Sequence, residues 1–229
     1  MSGPFEAVTG QVEAAKHRDP LGAFIEAEQH ALLIEALGPR EGELIIDIGA
    51  DTGRVAREVA RYGPRIIATE PSPSLLELGK SRSRGIQIEW RAAPSDVVPV
   101  EDGAADAALL VTTLEFVRDR RKTAAEAWRV IRPGGRLVVG VLGALSPWAA
   151  LYRLLGAQGV SPWNNAWLWT EDDLFRLLPS AAEPRVRSAV YLGSGAQPPF
   201  PEADAAGRRA GNHPAYLVAR WDKPLESSP

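Results

Sequence analysis

Five short, unbroken apolar runs alternate with helix-patterned stretches through the middle of this chain, and no other feature restricts its fold as much. The runs are ELIIDIG, RIIATE, IQIEW, DAALLV and RLVVGVL. Each is too short for a buried helix and too continuous for a half-solvated strand, so each reads as a strand covered on both faces. Residues 54–62, the stretch SPSLLELGKSR with its Ser-Pro start, and RKTAAEAWRVI carry helical spacing between them. A turn at RPGG launches the fifth run. Strands that alternate with helices at this spacing need crossover connections, and therefore a parallel sheet. Ahead of the first run, PLGAFIEAEQHALLIEALG places Phe24, Ile25, Ala31, Leu32, Leu33 and Ala36 at helical intervals and stops at Gly38-Pro39. Residues 1–38 are expected to form an amino-terminal helical cap.

The tail is written differently. TEDDLFRLL reads as a helix, with a Thr cap and acids in its first turn. RVRSAVYL and PAYLVARW are strand-like, and the Pro/Gly-rich segment 193–214 between them offers no expected helix. These last two strands should therefore pair antiparallel. The expected fold is α/β: a doubly wound, Rossmann-like, mostly parallel seven-stranded sheet with an antiparallel strand near one edge. A chain of 229 residues with 45% hydrophobic content is long enough to bury one such core, so a single domain over 1–229 is expected.

Composition also excludes some chemistry. With no cysteine there is no disulfide, no thiolate metal site and no cysteine nucleophile. A net charge of −3 supplies no field for nucleic acid or an anionic membrane. No run approaches the length of a membrane span, and the first twenty residues lack a signal-type apolar core. The expectation is a cytoplasmic protein with no membrane partner. The single basic cluster, RDRRK at 118–122, reads either as a solvated helix start or as a grip on an acidic partner.

The turn after the first strand is where a ligand is expected. In doubly wound sheets ligands lie beyond the carboxyl ends of the strands, and a helix amino terminus there faces a polar ligand with its backbone N–H groups. The loop DIGADTG places Gly49 and Gly53 where a side chain would block close approach or a positive φ. Asp47 ends the strand, where a buried carboxylate is costly unless paired. Glu70 ends the second strand and can accept hydrogen bonds from a ribose diol. A G-x-G-x-x-G dinucleotide loop would need glycine at positions 51 and 54, which hold Asp51 and Arg54.

Taken in order, DIGADTG, ATEPSPSLLELGK, VPVEDGAADAALLV and AWRVIRPGGRLVVGV resemble the class I S-adenosylmethionine-dependent methyltransferases, closest to the small type 11 group. The resemblance runs from about Glu43 to Leu142 and more faintly through the terminal strands. It implies S-adenosylmethionine as cofactor, held by Asp47, Gly49, Ala50, Asp51 and Gly53, with Glu70 on the ribose, Pro71 and Leu75 near the adenine, and Leu110 beside the cofactor. The chain departs from the family in two places. Asp51 stands where relatives keep the middle glycine, and Asp tolerates left-handed geometry better than most residues. Pro94 stands where relatives place an acid against the adenine amino group, leaving Ser95 and Asp96 beside it as substitutes.

Methyl transfer from a sulfonium is a single displacement that needs alignment and exclusion of water, with a base only if the acceptor must lose a proton. No loud catalytic motif is required, and none is present. Glu115 lies just past the fourth strand, where many relatives carry a His pair. It is a candidate base or cation-binding carboxylate, or else a helix-start acid facing solvent or a buried partner for an arginine. His30, in the cap helix, is a candidate catalytic group or a structural one; His17 and His213 are weaker candidates. No His and carboxylate spacing suits a metal, so none is expected.

Residues 143–170 leave the fifth strand beside the cofactor and are expected to form a substrate-side lid. Trp148, Tyr152, Arg153 and Trp163 are its candidate substrate residues, suited to an apolar acceptor that is planar or cationic; the alternative is that these rings pack the lid onto the sheet or a second subunit. The expected activity is methylation of a small molecule by a monomer or homodimer, with no nucleic-acid partner. An RNA or protein methyltransferase and a non-catalytic S-adenosylmethionine-binding protein are the alternatives.

Overall fold

The computed structural model describes residues 19–225. Seven strands form one sheet: β1 (Leu44–Ile48), β2 (Arg65–Thr69), β3 (Ile88–Arg91), β4 (Ala105–Val111), β5 (Ile131–Leu142), β6 (Arg185–Ala189) and β7 (Tyr216–Asp222), in the order β3-β2-β1-β4-β5-β7-β6. β1 to β5 are parallel, and β7 runs antiparallel to both β5 and β6. The crossovers wind one way from β1 and the other way from β4, so the switch point lies between those two strands. The doubly wound sheet with a reversed strand near its edge is as expected from the apolar runs.

Helices cover both faces. On one side, α1 (Pro20–Leu37) packs over β5, β6 and β7, and α2 (Arg54–Ala60) covers β2 and β3. Leu33, Leu37, Ile45, Val59, Val138 and Val218 form the core beneath them. α3 (Pro73–Arg82) starts at Ser72, whose hydroxyl accepts from the Leu75 N–H, and it packs against β3. The other face is closed by α4 (Arg120–Val130) and α6 (Glu171–Phe175), over Leu110, Leu114, Leu137, Leu174 and Trp221. α1 falls within the stretch 1–38 expected to form a helical cap; residues 1–18, including His17, lie outside the described residues. It begins on Asp19, whose carboxylate accepts from the Leu21 N–H, and stops at Gly38, whose φ is 53°. Arg136, 7% exposed, joins this helix to the sheet: it pairs with Glu43 at 2.7 Å and donates to the carbonyls of Leu37 and Gly38.

Two expectations are corrected. RPGG is no turn ahead of β5 but a bulge inside it. Ala105 pairs with Ile131 and Ala107 with Arg136, so the extra residues are thrown out, with Gly134 at φ 77°. The segment 193–214 does contain a helix, α7 (Phe200–Arg209). Pro201 sits in its first turn, Glu202 follows, and Arg208 and Arg209 end it, so the prolines that read as loop chemistry mark a helix start. Asp204 on α7 accepts from the Tyr191 and Leu192 N–H groups, docking the helix on the chain leaving β6. No helix among the described residues is long and apolar enough to cross a membrane.

Candidate functional site

The carboxyl edge of β1 and β2 is shaped by left-handed backbone at three alternate residues. Gly49, Asp51 and Gly53 have φ values of 73°, 52° and 75°. The Gly49 and Ala50 N–H groups are both held by the Thr69 carbonyl at 2.9 Å, and the Gly53 N–H donates to Ala50 at 2.8 Å. Gly49 is needed for two reasons. Its φ disfavours any side chain, and a Cβ there would lie 2.6 Å from Cγ2 of Thr113. Gly53 and Gly79 give room to the ring of Trp90, which wedges between α2 and α3. Asp51 adopts the conformation its substitution for glycine requires, so the loop keeps its shape.

Glu70 links this loop to the next one. Its Oε2 accepts from the Asp51 N–H at 3.0 Å and its Oε1 from the Ser72 N–H at 2.9 Å. Each oxygen accepts one bond and retains capacity for another donor. Asp47 is 2% exposed, and its Oδ2 has no hydrogen-bond partner among the described residues. Burial, followed by the charges of Glu70 and Asp51, pushes its carboxyl up to about 7. Burial also raises Glu70, against the opposing effect of its two N–H donors. Three carboxylates thus converge on one loop, a site that a cation would stabilise and a phosphate would not.

The remaining expected cofactor residues lie around the same edge. Ala50 and Leu75 are buried and Pro71 is exposed beside Ser72, whereas Leu110 is fully buried in the core under α4 and α6. Ser95 and Asp96 follow β3, but Asp96 is engaged by Lys122 of α4 at 2.8 Å.

Glu115 is fully buried, so the solvent-facing reading is excluded. Its Oε1 accepts from the Leu142 N–H at 2.7 Å and its carbonyl from the Trp167 N–H at 2.9 Å. Burial outweighs these donors and the Arg120 charge, raising its carboxyl to about 8. Above it, Tyr152 stacks on Trp163 with centroids 4.1 Å apart and planes 8° from parallel, and Phe116 meets Trp163 edge-on at 6.0 Å. Burial and the Glu115 charge raise the Tyr152 hydroxyl to about 12. Trp148 and Arg153, by contrast, are occupied by the backbone. Trp148 Nε1 donates to the Leu192 carbonyl at 2.9 Å, and Arg153 donates to Ala144 at 2.7 Å. Both lie on α5 (Pro147–Ala157), which is followed by a single 3₁₀ turn at Trp163–Asn165. His30 faces the ion pair of Glu26 with Arg54, and burial and Arg54 lower its pKa. His213 precedes β7, remote in sequence from this loop.

Sequence reasoning missed Thr112 and Thr113. Thr112 holds a φ of 52°, unusual for a β-branched residue, and Thr113 Oγ1 donates to the Ile48 carbonyl at 3.1 Å, filling the space beside Gly49. Nothing in the letters TT marks a left-handed threonine; only its place directly after β4, at the switch point, could have drawn notice.

Residues 46–139, spanning the loop, both strand-end acids and the fifth strand, match the family model described as a methyltransferase domain. Over these residues the chain is similar to methyltransferase domains. A demethylmenaquinone methyltransferase of Tropheryma whipplei is 39% identical over 104 residues, 45% of this chain and 43% of that protein. A ubiquinone/menaquinone biosynthesis C-methyltransferase of Zymomonas mobilis is 26% identical over 66% of this chain and 64% of its own length. The chain therefore spans less than half of the first relative and just under two thirds of the second. A SAM-dependent methyltransferase of Thermotoga maritima has the same fold, with a TM-score of 0.75 and 22% identity over 96% of this chain and 98% of that one. The matched residues run from β1 into β5; residues 143–170 and α7 lie outside them. No group of three His, Asp or Glu side chains placed to hold a metal occurs among the described residues.

Proposed function

We propose that the chain transfers a methyl group from S-adenosylmethionine to a small-molecule acceptor by in-line displacement. The observation that carries this reading is the convergence of Asp47, Asp51 and Glu70 on a left-handed loop at the switch point. Burying Asp47 and Glu70 close together, with the Asp51 charge beside them, is costly, and a ligand that brings a sulfonium and an ammonium offsets that cost. The cofactor supplies an already activated methyl carbon. Gly49 and Gly53 let the loop take its left-handed shape, Glu70 offers acceptors to the ribose hydroxyls, and Asp47 adds a buried carboxylate at the base of the loop. Ser95 serves the adenine edge, since Asp96 is shared with Lys122.

For the acceptor side, the support is the Tyr152–Trp163 stack and Phe116, which give a flat apolar wall. Such a wall excludes water and orients a planar ring. The names of the two relatives make a quinone precursor one acceptor of this kind. Glu115, neutral at pH 7 beneath that wall, positions the ends of β4 and β5; it is not a standing base.

The test is calorimetric titration with S-adenosylmethionine, S-adenosylhomocysteine and NAD, then turnover with a labelled methyl donor across acceptor pools of small aromatics, RNA and protein. Binding of the first two but not NAD, followed by label on a small aromatic, supports the reading. Absence of heat and of thermal shift with either sulfur ligand would overturn it.

A further inference from the structure

A second concavity lies on the opposite face of the sheet from α1 and α2. It is a cavity of about 590 Å³ between the first turn of α4 and the approach to α6, walled by Arg118, Arg120, Arg121, Arg176, Trp167 and Trp169. Trp169 and Leu177, which line it, belong to the core under α4 and α6, whereas Tyr152 and Trp163 pack with the core under α1 and α2. None of its lining residues is a cofactor or acceptor residue named above.

The charges in this cavity are unbalanced. Its two acids are taken up by helix caps: Asp119 accepts from the Lys122 N–H at 2.9 Å, and Asp173 from the Thr170 N–H at 2.9 Å and hydroxyl at 2.7 Å. Arg118, Arg120 and Arg121 make no ion pair with any described residue, and Arg176 has only an exposed contact of 3.5 Å with Asp172. The fourth cation of the RDRRK cluster, Lys122, is already paired with Asp96. Two buried donors are also unused. Arg120 Nε and Trp169 Nε1 have no hydrogen-bond partner, and Trp169 is 3% exposed. Buried donors without partners are uncommon in folded chains and mark a missing acceptor. Trp167, with the Arg120 guanidinium 4.7 Å from its ring centroid, is 45% exposed and offers a flat apolar surface beside the cations.

We propose that this cavity binds a small planar-ring anion, an aryl phosphate monoester or an aryl carboxylate, whose oxygens meet the guanidinium groups and the Trp169 N–H while its ring lies on Trp167. The volume suits a small molecule. Guanidinium groups match oxyanions in two-point geometry, and an aromatic surface selects a ring over a bare ion. The site stands on its own observations and does not depend on methyl transfer.

The test is titration of the full chain with phenyl phosphate, benzoate, inorganic phosphate and benzyl alcohol, followed by tryptophan fluorescence and calorimetry. Phenyl phosphate is expected to bind at least tenfold tighter than benzyl alcohol and tighter than inorganic phosphate. The doubly substituted Arg118→Ala, Arg121→Ala chain, altered only at exposed positions, should weaken phenyl phosphate at least tenfold and leave S-adenosylhomocysteine binding unchanged. Trp167→Ala should remove the preference for phenyl phosphate over inorganic phosphate. Equal binding of phenyl phosphate and benzyl alcohol would overturn the proposal, as would undiminished binding in the double variant or displacement of phenyl phosphate by S-adenosylhomocysteine.

Discussion

The buried carboxyl of Glu115 accepts the Leu142 N–H at 2.7 Å, so a single side chain joins the carboxyl ends of β4 and β5. The Leu142 carbonyl in turn accepts from the Trp169 N–H, and the Glu115 carbonyl from the Trp167 N–H, so residues 167–169 are sewn to the same two strand ends. The wall proposed for the acceptor is thereby anchored through a group whose own protonation is set by burial.

That burial predicts a pH dependence. The folded Glu115 carboxyl is raised to about 8 from an ordinary 4.5, so between these values the folded chain holds a proton that the unfolded chain has released. Its contribution to stability is complete below the lower value and declines as pH rises towards the upper one. Glu115→Gln keeps an oxygen for the Leu142 N–H and cannot ionise. In urea unfolding, the variant should gain on the parent between about pH 5 and about pH 9, by on the order of a few kcal/mol. Asp47 shifts in the same direction in both chains and so drops out of the comparison.

Gly49→Ala tests the loop. The substitution places a side chain at φ 73° and a Cβ against Thr113, whereas Gly211→Ala at φ 79° meets nothing within 4 Å. Backbone strain alone costs roughly 1–2 kcal/mol in either case. Gly49→Ala should therefore lower the unfolding free energy by about 1–3 kcal/mol more than Gly211→Ala. It should also weaken S-adenosylhomocysteine at least tenfold, while Gly211→Ala leaves that affinity unchanged; thermal melts and calorimetry read both effects.

β1, β2, β4 and β5 were legible because strands buried on both faces leave continuous apolar runs, whereas the edge strands β3 and β6 are only partly buried; Asp47 and Glu70 were legible because acids that end such runs are conspicuous. The sharp loop after β1 was legible from its glycines, although Asp51 stands where a third glycine was expected; the structure meets that exception by placing Asp51 in the left-handed region. α7 was not legible, because its prolines flank and open the helix and a single sequence does not distinguish Pro at a helix start from Pro in a loop. The bulge at RPGG was hidden for a related reason: turn chemistry fixes the local backbone but not whether the ladder resumes on either side. The sequence left Glu115 open between a solvent-facing acid and a buried one because its burial depends on residues folding back through Trp167, and that contact joins residues 52 positions apart.

The lid residues should separate by role. Trp163→Ala removes the stack on Tyr152 and the edge contact with Phe116. It should raise the acceptor KM several-fold with S-adenosylhomocysteine affinity unchanged. Trp148→Phe instead loses a hydrogen bond to the Leu192 carbonyl. It should lower stability by about 1 kcal/mol and leave the acceptor KM alone. Steady-state kinetics beside chemical denaturation distinguishes the two.

The raised Asp47 carboxyl gives the sharpest check on the cofactor. At neutral pH this group, pushed up to about 7 by burial and by Glu70 and Asp51, is partly protonated. A cation entering the loop favours its charged form and drives the proton off, whereas a neutral-sulfur ligand of the same shape does so less. Calorimetric titration of S-adenosylmethionine near pH 7, repeated in buffers of different ionisation enthalpy, should therefore report release of a fraction of a proton. S-adenosylhomocysteine should report a smaller fraction, and Asp47→Asn should abolish the difference between the two ligands. Identical proton release by both ligands in the parent chain would mean that the three carboxylates do not face the sulfonium, and the charge argument for this cofactor would fail even if binding itself persisted.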